Sequence, residues 1–173
     1  MQEAELSMCR RLGAPEEYIL GIQSNLAITY ESIGRLDQAL QLKRDSYSGR
    51  LRLMGEEHLE TFVAASNYAN TLSDLQRFKE AKRVLRKVMP GARRTLGEGH
   101  RVTLRMRWTY ADALYEDPAA TLDDLREAVT TLEEAGRIGR RVLGGAHPTT
   151  GMIEASLRKA RAALSARDGS SLS

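Results

Sequence analysis

The 173-residue chain has 42% apolar and only 5% aromatic residues, a composition typical of helices with modest side chains. Its net charge of +3 is not concentrated in one basic stripe, which argues against nucleic acid as a partner class. No apolar run approaches a membrane span, no secretory signal pattern is present, and Cys9 has no second cysteine to pair with. We therefore expect a soluble, cytoplasmic protein with no membrane partner.

A short segment recurs along the chain. It is found as Met54-Gly55-x-x-His58-x-x-Thr61, Leu96-Gly97-x-x-His100-x-x-Thr103 and Leu143-Gly144-x-x-His147-Pro148-x-Thr150. Successive copies are 42 and then 47 residues apart, and a weaker Leu12-Gly13-x-x-Glu16 precedes the first copy by 42 residues. Such a period predicts stacked structural units that bury their apolar faces against each other.

The recurring segment has the chemistry of a link between two helices. Each glycine is suited to the left-handed position at the end of a helix. Pro148 suits the first turn of the next helix, where its missing N–H has no intrahelical partner to lose. We expect the histidine before each helix to cap or pack against that turn. Sites one repeat apart are about 8–10 Å from each other, so the imidazoles are not expected to share a metal ion.

Between these links the apolar columns predict one helix–turn–helix per unit. Asn25-Leu26-Ala27 matches Asn67-Tyr68-Ala69 and Thr109-Tyr110-Ala111, and the apolar positions form one helical stripe. The predicted units are 1–14 (the end of a second helix), 15–55, 56–97, 98–144 (with a five-residue insertion), 145–166 (a lone capping helix) and 167–173 (a disordered tail).

Two local departures from the repeat are expected to change the backbone. Residues 117–121 lengthen the inter-helix turn of the third unit, and Thr121 with Asp124 predicts a capping box for the next helix. Pro90 falls inside the second helix of the second unit, where a proline removes a hydrogen bond and usually causes a kink. We expect a local bend at that point.

These patterns resemble a known repeat family. The pattern Asn25-Leu26-Ala27-x-x-Tyr30, the turn Gly34-Arg35-Leu36-x-x-Ala39 and the Leu-Gly-x-x-His-Pro-x-Thr link resemble the 42-residue tetratricopeptide repeat of kinesin light chains and the nephrocystin group. The resemblance covers nearly the whole chain, roughly residues 1–166. It implies an all-α fold, a right-handed α-solenoid of helix–turn–helix repeats whose first helices line a concave groove.

The resemblance also implies which residues face the groove. They are Ser24, Asn25 and Ile28 in the first unit, Ser66, Asn67 and Asn70 in the second, and Arg105, Trp108, Asp112 and Tyr115 in the third. The amides of Asn25 and Asn67 either contact a peptide backbone or join two helices of the array. Trp108 either anchors a ligand or fills space against the fourth unit.

Charge on the predicted groove suggests a ligand class. The carboxylates of Glu31, Asp74, Asp112 and Glu116 face a single Arg105, so we expect a neutral or basic peptide segment. The basic residues with which kinesin light chains capture acidic, tryptophan-containing peptides are not reproduced. Charge reversal at Asp112 and Glu116 is expected to weaken capture.

No phosphate loop, zinc-protease pattern or nucleophile elbow is present, so we expect no catalysis, no cofactor and no bound metal. The sequence predicts a protein-interaction scaffold. Two alternatives stay open, namely a fragment of a kinesin light chain-like cargo adaptor and a regulatory repeat arm of a larger enzyme or signalling protein. Three repeats is near the lower limit for independent folding, so we also expect marginal stability or self-association through the incomplete N-terminal unit.

Overall fold

The computed structural model describes residues 2–170, with side chains through Asp168. This part of the chain contains eight α-helices. They are α1 (Gln2–Arg11), α2 (Glu16–Ser32), α3 (Leu36–Met54), α4 (Leu59–Asp74), α5 (Phe78–Leu96), α6 (Arg101–Tyr115), α7 (Leu122–Val142) and α8 (Pro148–Ser170). Within the described residues, no helix is long and apolar enough to span a membrane.

The helices stack as hairpins in chain order. The pairs α2–α3, α4–α5 and α6–α7 are the three complete repeats, α1 packs on α2, and α8 packs on both α6 and α7. Helix α4 also contacts α6, so the first helices of successive repeats form one face of a solenoid. Helix α8 continues to Ser170, beyond the end expected at residue 166. Residues 171–173 of the predicted tail lie outside the described residues.

Each recurring link combines a glycine stop with a histidine cap. Gly55, Gly97 and Gly144 adopt φ angles of 87°, 89° and 92°, which side chains other than glycine rarely adopt. The Nδ1 atom of His58 accepts a 3.2 Å hydrogen bond from the Glu60 N–H, and His100 and His147 do the same two residues further on. The prediction that these histidines cap their helices is confirmed.

The insertion in the third repeat is held by side-chain hydrogen bonds. Thr121 and Asp124 form the expected capping box at the start of α7. Asp117 Oδ1 accepts a hydrogen bond from the Ala119 N–H at 3.0 Å, and Lys82 Nζ donates to Asp117 Oδ2 at 3.1 Å. Pro90 lies inside α5, which is helical from Phe78 to Leu96 without a break. A bend at Pro90 stays a prediction.

Small side chains let the helices approach closely. The repeat-related alanines are fully buried, and they are Ala27, Ala39, Ala69, Ala81, Ala111 and Ala128. Around them, a large apolar cluster joins α4 to α8, while a separate cluster joins α1 to α3. A third, smaller cluster joins Leu40 of α3 to Leu72, Phe78, Ala81 and Ala113, and the other two clusters stay separate near α3.

A polar stripe on α3 explains this separation. Lys43, Ser46 and Arg50 occupy positions that hold Leu85, Val88 and Ala92 one repeat later, all three in the large cluster. The polar groups of the stripe have hydrogen-bond partners within the protein. Lys43 donates to Thr71, and Arg50 donates to both Ser46 and Ser24. We call Lys43, Ser46 and Arg50 the α3 polar stripe. It makes the junction between the first and second repeats more polar than the later junctions.

Gln76 has a backbone conformation that favours glycine. Its φ angle is 58°, and it occupies the position that Gly34 holds one repeat earlier. A non-glycine residue in the left-handed region destabilises the folded state by about 1–2 kcal/mol. Glycine avoids this strain but loses more backbone entropy on folding, which offsets part of the gain. We expect Gln76→Gly to stabilise the chain by about 0.5–1 kcal/mol in urea unfolding. Gln38→Gly, inside α3, is the control and should destabilise it; the reverse ranking would contradict the argument.

Candidate binding groove

Two adjoining cavities form a groove along α4 and α6, and α8 lines it at one end. The cavity nearer the start of α6 has a volume of about 600 Å³. We call it the arginine cavity; it is lined by Val63, Ser66, Asn70, Arg101, Val102, Arg105, Trp108, Thr149 and Met152. Its walls combine apolar side chains with two cations, as ligand sites commonly do.

The second cavity lies nearer the end of α6 and has a volume of about 650 Å³. We call it the acidic cavity; it is lined by Asn70, Ser73, Asp74, Gln76, Phe78, Trp108, Thr109, Asp112, Glu116 and Pro118. Asn70 and Trp108 line both cavities, so the two spaces are neighbours along one groove. We refer to both together as the α4–α6–α8 groove.

The arginine cavity contains polar groups that the protein itself leaves unpaired. Within the described residues, Arg101 and Arg105 have no hydrogen-bond or ion-pair partner, and the buried Ser66 hydroxyl also has none. Burial lowers the pKa of the half-buried Arg105 guanidinium. A buried donor without a partner carries a desolvation cost that a ligand acceptor can offset.

The acidic cavity contains the complementary charge. Burial raises the pKa of Asp112 to about 6, and the Glu116 carboxylate adds to the rise, while hydrogen bonds with Ser156 and Tyr115 oppose it. Asp112 Oδ1 is buried and has no hydrogen-bond partner among the described residues. Asp74 accepts a 3.2 Å hydrogen bond from the Asn70 amide, and burial raises its pKa as well. This end of the groove therefore offers carboxylate oxygens to a donor or a cation.

The raised pKa of Asp112 has a consequence for stability. Because this pKa lies near 6 against an ordinary 3.8, the folded state binds a proton more tightly than the unfolded state, so stability falls as the pH rises through that window. We expect Asp112→Asn to change the free energy of unfolding in the stabilising direction by about 2 kcal/mol more at pH 8 than at pH 4. Urea unfolding at both pH values measures this difference. Equal effects of Asp112→Asn at both pH values would contradict the prediction.

The structure brings most of the predicted second- and third-unit residues together. Ser66, Asn70, Arg105 and Trp108 line the arginine cavity, and Asp112 lines the acidic one. The remaining two lie beside the groove without lining either cavity. They are Asn67 and Tyr115, both half-buried.

Trp108 and Tyr115 make contacts of their own. The indole N–H of Trp108 donates to the Ser156 hydroxyl on α8 at 2.8 Å, so this side chain lines the groove and also holds the fourth unit. The Tyr115 hydroxyl is 3.3 Å from Glu116 Oε1. Trp108 is thus fixed in position before any ligand arrives.

The predicted residues of the first unit lie elsewhere. Ser24 is engaged with Ser46 of the α3 polar stripe at 3.1 Å. Asn25 lines a separate cavity of about 560 Å³ between α1 and α2. Ile28 is 59% exposed and lines neither cavity of the groove. None of these three residues lines either cavity of the groove.

Several lining residues were not predicted from the sequence, among them Arg101, Thr149 and Met152. Thr149 and Met152 lie on α8, which was interpreted only as a cap, although Met152 is 47 residues after Arg105 and follows the same register. Arg101 is one turn before Arg105 and doubles the positive charge. The groove is therefore acidic at one end and basic at the other, which corrects the description of an acidic groove.

Comparison with known proteins supports the class of protein that this geometry defines. Residues 18–93 match the model of the tetratricopeptide repeat family. The described chain has the fold of a tetratricopeptide-repeat solenoid, and the predicted likeness to kinesin light chain-type repeats is confirmed. No curated protein matches the chain significantly.

Solved structures with this fold extend over nearly the whole chain. A single-substitution variant of a candidate kinesin light chain from Podosopora anserina, with nearly identical TPR-like repeats, is 21% identical, covers 97% of this chain and 77% of its own, and superposes with a TM-score of 0.79. A second structure of that P. anserina protein is also 21% identical. It covers 97% of this chain and 78% of its own, with a TM-score of 0.76. BtubC (BKLC) from P. vanneervenii is 18% identical, with coverages of 90% and 67% and a TM-score of 0.57.

Proposed function

We propose that this protein is a non-catalytic interaction scaffold that binds an extended peptide segment of a partner protein in the α4–α6–α8 groove. The observation that carries the proposal is the pair of adjoining cavities, which share Asn70 and Trp108 and contain buried polar atoms without partners. Tetratricopeptide repeats, which residues 18–93 match, generally mediate protein–protein interaction. The groove surface is continuous across two repeats and α8, as an extended segment requires.

The amide of Asn70 is suited to hold a peptide backbone. It lies at the boundary of the two cavities, and an amide both donates and accepts hydrogen bonds. Trp108 offers a rigid aromatic surface on the facing helix, and aromatic side chains are enriched where interfaces gain most of their free energy. Together they combine a polar and an apolar contact at the middle of the groove.

The test is a selection of random 12-residue peptides on the intact chain, followed by affinity measurements on the enriched peptides. We expect Asn70→Ala to weaken their binding about tenfold, the equivalent of one hydrogen bond to the peptide. Asn25→Ala, at the residue in the separate cavity, is the matched control and should leave affinity unchanged. Peptides that bind both variants and the parent chain equally would place their site outside the groove and contradict the proposal.

One alternative keeps the same surface with a more specific role. This role is that of a kinesin light chain-like cargo adaptor. It is supported by the superposition of this chain on the candidate kinesin light chain of P. anserina. Binding of a kinesin motor chain by the intact protein tests that role.

We also propose that the protein works in the cytoplasm. Self-association through residues 1–14 stays a proposal, supported by the exposed Met8 and Leu12 near the end of α1.

A further inference from the structure

We propose that the groove selects peptides of mixed charge, with a carboxylate bound in the arginine cavity and a cationic side chain bound in the acidic cavity. This inference rests on the proposed function and adds the chemical class of the ligand. It replaces the expectation of a neutral or basic segment, which set four carboxylates against the single cation Arg105 and did not include Arg101.

The arginine cavity is arranged to receive a carboxylate. Arg101 and Arg105 are one helical turn apart on α6 and line the same cavity, and neither is neutralised by a carboxylate within the described residues. Guanidinium groups bind carboxylates through paired, charge-assisted hydrogen bonds. The Ser66 side chain lines the same cavity, and its buried hydroxyl has no hydrogen-bond partner within the described residues.

The other end of the groove is arranged to receive a cation. Asp74, Asp112 and Glu116 line the acidic cavity, and no ion pair neutralises any of them within the described residues. Lys159 is close enough to lower the pKa of Asp112 but does not form an ion pair with it. A lysine or arginine of the ligand can bond the exposed carboxylates of Asp74 and Glu116, with the half-buried Asp112 behind them.

The direction of α6 reinforces this separation of charge. The arginines lie in the first two turns of the helix, and Asp112 and Glu116 lie at its end. The helix dipole is positive at its start and negative at its end, so it favours the same arrangement of ligand charges.

The spacing along α6 sets the spacing in the peptide. Arg105 and Asp112 are seven residues apart, about 10 Å along the helix axis, and Arg101 and Glu116 are about 22 Å apart. An extended peptide advances about 3.3 Å per residue. The bound segment should therefore carry its opposite charges about three to seven residues apart.

The peptide selection described above tests this inference. We expect enriched sequences to carry an acidic group and a basic residue at that separation, beside an apolar residue that contacts Trp108 or Met152. Arg101→Glu/Arg105→Glu should weaken these peptides by at least about tenfold and make a second selection lose the acidic group. Arg137→Glu/Arg141→Glu, on α7 and outside the groove, changes the net charge equally and should alter neither result.

The outcomes separate this inference from the proposed function. Peptides that depend on Asn70 but show no charge preference, or that bind the Arg101→Glu/Arg105→Glu variant as tightly, would overturn the inference alone. Absence of any enriched peptide that depends on Asn70 would overturn both. Circular dichroism of each variant, matched to that of the parent chain, shows that the fold is retained.

Two further arms identify the source of the anion. An enriched peptide made with an amidated C-terminus, or with its acidic side chain replaced by the amide, shows which carboxylate occupies the arginine cavity. A single-stranded uridine 20-mer is the competing probe. The inference is overturned if this RNA displaces the peptides and depends on the same cations. In that case it binds the parent chain and the Arg137→Glu/Arg141→Glu variant but not Arg101→Glu/Arg105→Glu, and the two arginines bind RNA phosphates.

Discussion

Glu31→Ser is expected to destabilise the protein by about 2–4 kcal/mol, because it removes the anion beside a buried lysine. Lys43 in the α3 polar stripe is only 8% exposed; its ammonium forms an ion pair with Glu31 and donates to the Thr71 hydroxyl at 2.9 Å. Thr71 in turn donates to Glu31 at 2.6 Å, so one network joins α2, α3 and α4. Without the carboxylate, Lys43 keeps only one neutral partner.

A second substitution makes this explanation testable. Lys43→Leu places at this position the leucine that the next repeat has at Leu85, so Glu31→Ser/Lys43→Leu should recover most of the lost stability. Urea unfolding at pH 7 measures both variants. Burial lowers the pKa of Lys43, and the Glu31 carboxylate opposes this effect. Without Glu31 the ammonium loses its proton more readily in the folded state. The free energy of unfolding of Glu31→Ser should therefore rise between pH 7 and pH 10 by more than that of the parent chain. A double variant no more stable than Glu31→Ser would contradict the ion-pair argument.

The second large effect is expected at Arg107, a buried cation on the side of α6 away from the groove. Arg107 is 5% exposed and forms ion pairs with Glu98 at 2.9 Å and Glu134 at 2.5 Å. Removing both carboxylates with Glu98→Ala/Glu134→Ala leaves a guanidinium that cannot be neutralised. Because the two glutamates are partly exposed, we expect a loss of about 2–3 kcal/mol in urea unfolding rather than the larger cost of a fully buried pair.

Exposed glutamates provide the control for Arg107. Glu56→Ala/Glu57→Ala removes two surface ion pairs, to Lys87 and Arg94, and should cost less than about 1 kcal/mol. Adding Arg107→Met to Glu98→Ala/Glu134→Ala should restore stability, because a methionine of similar length leaves no buried charge unpaired. If the methionine lowers stability further, the packing of the arginine stem outweighs its charge and the explanation is wrong.

The two networks have different consequences for the groove. Glu31 was expected to contribute to an acidic binding face, but its charge is neutralised by Lys43 and serves the junction between the first two repeats. Arg107 supports α6 from behind and joins it to α7, so the groove-lining side of α6 stays free. Loss of peptide binding in either set of variants would therefore report on the scaffold rather than on ligand contacts.

The fold was predictable because the repeat is a local signal. A glycine that ends a helix and a histidine that caps the next one act within a few residues, so their recurrence identifies the links directly. The apolar columns then assign the paired helices, including the buried Ala69 and Ala111. The same local character explains the success at Thr121 and Asp124, whose capping box spans three residues.

The binding surface was only partly predictable because it depends on how far neighbouring helices approach. Register alone assigned Ser24 and Ile28 to the same groove as Ser66, yet neither residue lines its two cavities, and Ser24 bonds Ser46 of the α3 polar stripe instead. Register also left out Met152, because residues 145–166 were expected to form only a capping helix.

The sequence by itself determined the repeat, the helix boundaries near each glycine and the candidate stripe on α6, since these follow from short-range backbone and capping chemistry. Tertiary structure alone decided which charges survive as binding groups. Glu31 is neutralised from α3, while Arg101, Arg105 and Asp112 remain without ion-pair partners among the described residues, in two adjoining cavities. An ionic group's availability depends on partners from other helices, and no spacing within one helix reveals them.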